Sequence, residues 1–166
     1  MRFHEHIPFD LELAPEVRSL DDILYWKCAN RTSLLEIKLV AATGMIGGAT
    51  LVLVPRQWRR MVQSVRPTGL RADAGIPVVD LAPWKAMIGG RELFDWRQRF
   101  VDESATFVFA IGTDGVAVQF ESGEAASMVT AGDLAFSFTE EDVLCGITLT
   151  GLSSRELRRM RKFHGP

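Results

Sequence analysis

Hydrophobic positions recur along this chain with two different periods, and the change of period divides it into expected strands and helices. Leu35, Ile37, Leu39 and Ala41 alternate with Glu36, Lys38 and Val40, a period of two that predicts a strand with one polar face. Gly44, Gly47 and Gly48 would then turn the chain into a second apolar strand over 49–54. In the second half, the apolar runs 106–111 and 116–120 flank Gly112, Thr113, Asp114 and Gly115, a short loop of hairpin type. The runs 134–138 and 143–150 flank Thr139, Glu140, Glu141 and Asp142, which predicts a second hairpin with an acidic tip.

Helical spacing is expected in four other places. Ser19, with Asp21 and Asp22 in the first turn, would start a helix carrying Ile23, Leu24, Lys27 and Cys28 and ending near Asn30 and Arg31. Pro55 would open another, with Trp58, Met61, Val62 and Val65 on one side, Arg56, Arg59, Arg60 and Gln63 on the other, and Pro67 as the stop. Leu93, Trp96, Phe100 and Val101 follow the Gly89–Gly90 pair at helical spacing and would form a third helix closing near Asp102. The last is the best specified. Ser153 and Glu156 form a capping box, Leu152 can staple onto Leu157, and Leu157, Met160 and Phe163 share the side opposite the basic residues. Between the second and third helices, Pro67, Gly69, Gly75, Pro77 and Pro83 mark an irregular crossing.

These elements predict an α+β fold: an antiparallel sheet of five to seven strands with three to four packed helices, or alternatively a partly closed β-barrel with peripheral helices. The 166 residues, 47% of them hydrophobic, can close one core without metal or disulfide support, so a single domain over 1–166 is expected. The two cysteines, Cys28 and Cys145, are too few for a disulfide framework, and nothing at the start has the pattern of a secretory leader. A cytoplasmic protein is the expectation. The longest uncharged apolar stretch, residues 39–54, is too short for a membrane helix and is broken by glycines.

Charge changes the picture more than composition does. The formal net charge is −2, but between Phe100 and Ser154 there is no Lys, Arg or His, while nine carboxylates occur. The remainder holds all 19 Lys and Arg against 12 acids. This segregation predicts an acidic face able to steer and dock a basic protein partner, with Asp114, Glu121, Glu124, Glu140, Glu141 and Asp142 as its candidate residues. The plainer alternative is mutual neutralisation of the two charge sets within the monomer.

Little else carries chemistry. His4, Glu5 and His6 have metal-ligand types, but a zinc site needs three or four donors and the third histidine, His164, lies at the other end of the chain. With every histidine near a terminus, neither cysteine has an evident base, and both fit small core positions. The run from Thr43 to Gly47 follows an apolar strand as a dinucleotide turn would, yet it leads into Thr50, Leu51, Val52, Leu53, Val54 and Pro55 instead of a helix. No cofactor is expected. Arg155, Arg158, Arg159, Arg161 and Lys162 form a basic helix face that suits phosphate contacts, but no aromatic residues are interleaved there.

A non-enzymatic interaction module is therefore the leading expectation, of the general size and charge of immunity proteins, secretion chaperones or adaptors. The alternatives are a small-ligand or catalytic domain, its pocket lined by the Pro-rich crossing and by Trp26, Trp58, Trp84 and Trp96, and a nucleic-acid binder using the Arg-rich helices.

Overall fold

The structure, a computed structural model, describes residues 9–13, 22–30, 33–53, 59–88, 91–94 and 99–162. In chain order the strands are β1 (Phe9–Glu12), β2 (Ile23–Asn30), β3 (Ser33–Val40), β4 (Ile46–Leu53), β5 (Arg59–Met61), β6 (Arg71–Ala74), β7 (Lys85–Ile88), β8 (Arg91–Phe94), β9 (Phe100–Ser104), β10 (Phe107–Ile111), β11 (Gly115–Phe120), β12 (Ser127–Ala131), β13 (Leu134–Phe138) and β14 (Leu144–Thr150). One helix, α1 (Ser154–Lys162), follows them. The chain groups into two compact units, Met1–Val52 with Pro77–Ser104 and Leu53–Ile76 with Ala105–Pro166.

The expected α+β fold with three to four helices is corrected by this arrangement. Among the described residues there is one α-helix and a 3-10 turn at Ala82–Trp84; the rest of the regular structure is strand, in mixed sheets of five and seven strands and a two-stranded ribbon. The alternative, a partly closed barrel with peripheral helices, is corrected with it, since the strands divide between separate sheets and α1 is the one α-helix among the described residues.

The reason lies in an ambiguity of spacing. Leu24 and Cys28, both fully buried, stand four residues apart, which is close to one helical turn and is also two strand repeats. Their neighbours decide the matter. Ile23, Tyr25 and Trp26 are β-branched or aromatic, and β2 pairs along its whole length with β3 and for five residues with β9. In the expected second helix, Arg59–Met61 instead forms β5, parallel to β10, and Met61 is 61% exposed. The expected third helix is divided between β8 and β9, with Phe100 46% exposed. Ser19, Trp58, Trp96 and Phe163 lie outside the described residues.

In the first unit the sheet order is β1-β4-β3-β2-β9, antiparallel except for β2 beside β9, with the ribbon β7-β8 apart from it. Leu35, Ile37 and Leu39 are buried on one face, as their alternation predicts. On the opposite face Asp10 accepts hydrogen bonds from Thr50 Oγ1 at 2.7 Å and from Lys38 Nζ at 3.5 Å, and Tyr25 stacks on Phe100 with 5.0 Å between ring centroids. The β3–β4 turn is no nucleotide loop. Gly44 sits there at φ +74°, with the Val78–Val79 backbone so close that a Cβ would meet the Val79 carbonyl oxygen at 2.4 Å.

In the second unit the order is β5-β10-β11-β14-β13-β12-β6. Both expected hairpins form, β10 with β11 and β13 with β14, and both are antiparallel. The six residues after β11 pass over two strands, so that β14 returns beside β11 in a Greek-key order. Register divides the side chains cleanly. Phe107, Phe109, Ile111, Val116, Val118, Phe136 and Ile147 share one buried face, while Ala110, Ala117, Ser137, Gly146 and Thr148 share the other. The capping box of α1 forms as expected: the Ser153 amide and hydroxyl both donate to Glu156 Oε2, at 2.7 and 2.6 Å, and Leu157 and Met160 are buried.

The Gly44→Ala substitution meets both a left-handed backbone and a carbonyl oxygen, so it is expected to destabilise the protein by about 1–3 kcal/mol. Urea unfolding checks this; an unchanged midpoint would show that the turn is not clamped by Val79.

Candidate functional site

Strand direction gives the seven-stranded sheet two chemically different ends. The strands β5, β10, β14, β12 and β6 run one way and β11 and β13 the other, so that the 121–126 link and the 139–143 loop share one end. The β10–β11 turn, the Gly132–Asp133 turn and the start of α1 lie at the other.

Of the six acids expected to bind a partner, Glu121, Glu124, Glu140, Glu141 and Asp142 fall at the first end. The two segments touch there: Ser122 Oγ donates to the Leu144 carbonyl at 3.2 Å, and the Ala126 amide to the Phe138 carbonyl at 2.8 Å. All five are exposed, and among the described residues none forms an ion pair. Thr139 fixes the tip. Its hydroxyl accepts from the Glu141 and Val143 amides at 3.2 and 3.3 Å, and its own amide donates to the Val143 carbonyl at 2.9 Å. Asp142 takes φ +59° at the turn, and Val143 beside it is 49% exposed.

The sixth acid, Asp114, is at the opposite end and is occupied. Residues 62–70 join β5 to β6, the two outermost strands, and so form a strap across the small-residue face. Asp114 latches it: Ser64 Oγ donates to its Oδ2 at 2.6 Å, the Val65 amide to its Oδ1 at 3.0 Å, and Arg66 Nε lies 3.7 Å from Oδ2. Thr113 adds two bonds to the Gln63 carbonyl, from Oγ1 at 2.8 Å and from its amide at 3.3 Å. Desolvation pulls the Asp114 pKa up, but the Ser64 and Val65 hydrogen bonds and the Arg66 charge outweigh it and hold it below the ordinary 3.8.

Between the strap and the sheet lies a cavity of about 560 Å³. Val65, Pro67 and Leu70 cover it, Ala110, Ala117 and Gly146 form its floor, and Gln119, Ser137 and Thr148 supply polar groups. The Cys145 thiol also lines it and is kept protonated by burial. The strap is part of the Pro-rich crossing expected to line a pocket, but among the described residues no tryptophan joins it. Sequence reasoning missed Ser137 and Thr148, although a signal was present in the alternation of Leu134, Phe136 and Phe138 with Ala135 and Ser137.

The other candidates are dispersed. Arg155, Arg158, Arg159, Arg161 and Lys162 are exposed on α1, where Arg161 Nη2 donates to the Gly112 carbonyl at 3.3 Å. Trp26 Nε1 donates to Glu103 at 2.7 Å, whereas Trp84 is buried with its indole N–H unpartnered among the described residues. Burial, and then the charge of Glu103, push the Cys28 thiol up to about 12, which suits a core residue. No three metal-ligating side chains cluster among the described residues; His4, Glu5, His6 and His164 lie outside them. No described helix is long and apolar enough to cross a membrane. Compared with known families and with curated proteins, the chain matches none.

The latch has a pH signature. A folded pKa below the unfolded value of about 3.9 gives stability that is complete above that value and lost as pH falls through the folded pKa. Asp114→Ala should therefore cost about 1–3 kcal/mol at pH 7, with the gap to the parent protein narrowing as the pH falls below the unfolded value of about 3.9. Urea titrations across pH 2–7 check it; a gap independent of pH would exclude the carboxylate as its source.

Proposed function

We propose that this chain is a non-enzymatic interaction module whose acidic sheet end docks a basic surface of a protein partner. One observation carries the reading: Glu121, Glu124, Glu140, Glu141 and Asp142 converge on two adjoining loops, exposed and unneutralised, around the exposed apolar side chain of Val143. A concentrated field of one sign draws in a cationic surface and disfavours anionic ones. The hydrogen bonds centred on Thr139 hold the carboxylates in place beforehand, so less loop entropy is lost on docking. Val143, exposed next to Asp142, supplies apolar area beside the carboxylates from which water can be excluded on contact. Asp114, engaged by the strap at the other end of the sheet, is not part of this surface.

Affinity capture from a lysate identifies the partner, and stopped-flow or surface-based kinetics then test the mechanism. Replacing the five acids together by Gln and Asn should slow association by about tenfold or more at low ionic strength and flatten its salt dependence. Asp114→Asn should leave the association rate unchanged. Equal rates for the parent and the five-fold variant, or a captured partner with an acidic contact surface, would overturn the proposal.

A further inference from the structure

We propose that the cavity beneath the strap binds an uncharged, hydroxyl-bearing small molecule of mono- to disaccharide size, held by hydrogen bonds to Ser137 and Thr148. Its volume of about 560 Å³ falls within the roughly 300–1,000 Å³ usual for small-molecule sites. The decisive groups are two hydroxyls. Ser137 and Thr148 are 6% and 5% exposed, line the cavity, and make no side-chain hydrogen bond among the described residues. Neither oxygen is sealed from solvent; among the described residues the enclosed side-chain polar atom without a partner is Trp84 Nε1. Buried hydroxyls as a rule find a partner, in the protein or in ordered water. Here both open onto the cavity and are left for something inside it.

Their spacing suits a ligand with more than one polar group. Ser137 is paired with Gly146, and Thr148 is two residues further along the same strand, so the two hydroxyls are diagonal neighbours on one sheet face. Gly146 leaves the floor between them open: a Cβ there would stand 3.8 Å from Ser137 Oγ. Hydroxyls both donate and accept, as does the amide of Gln119 on the same wall. Two charged side chains line the cavity, both exposed: Arg66, whose guanidinium already faces Asp114, and Glu124, whose carboxylate disfavours an anion. That balance favours a neutral polyol over an anion. A fully apolar occupant would leave both hydroxyls desolvated and unpaired.

The test is a titration of the whole chain with glucose and with maltose, followed by amide chemical shifts, with inorganic phosphate as a charged counter-probe. The expected result is a saturable shift at Ala117, Ser137, Gly146 and Thr148 with at least one sugar, and none with phosphate. In Ser137→Ala/Thr148→Val the apparent affinity should fall tenfold or more. Gly146→Ala tests the same floor in a variant whose new methyl meets only ordinary contacts of 3.4–3.8 Å, and it too should weaken binding with the unfolding midpoint retained. No saturable shift with either sugar, an undiminished response in both variants, or a stronger response to phosphate would overturn the proposal.

Discussion

Nine residues connect the opposite edges of the seven-stranded sheet, and that short connection governs the second unit. The strap lines the same cavity as Ala110, Ala117, Ser137, Gly146 and Thr148, so it runs over the face that carries the small side chains. Asp114 makes that path definite. Its carboxylate binds the Ser64 hydroxyl and the Val65 amide together, so one side chain of the β10–β11 turn orients the strap as it leaves β5.

What lies under the strap follows from the two-faced pattern of the strands. Large apolar side chains on one face build the core: Phe107, Phe109, Phe136 and Ile147 are each at most 2% exposed. The other face carries alanine, glycine, serine and threonine, which are too small to fill the space up to the strap. A cavity with a polar floor is the consequence. The Greek-key return has a separate result at the sheet end, where the 121–126 link crosses beside the 139–143 loop and brings together carboxylates that are 16 or more residues apart in sequence.

The sequence made the strands of strict alternation legible. Leu35, Ile37 and Leu39, and the hairpins at 106–120 and 134–150, fold as their patterns predict, and so does the capped start of α1, because each is determined by neighbours within a few residues. The three other expected helices failed where apolar residues four apart satisfied both periods, as at Leu24 and Cys28, and where parallel pairing with a distant strand decided the outcome, as at β5 and β9. The charge segregation was visible from composition alone, but its division into a free acidic end and a latched Asp114 depends on strand order, which no local pattern contains. Ser137 and Thr148 were hidden for the same reason. Their importance comes from what crosses above them.

Native-state hydrogen exchange at the Val65 amide measures the strap most directly. Bonded to Asp114 Oδ1 at 3.0 Å, that amide should exchange far more slowly than an unstructured one and lose its protection when Asp114 is replaced by Ala. Exchange at the rate of an unstructured peptide in the parent protein would mean that the strap is not latched across the sheet, and the cavity beneath it would have no roof.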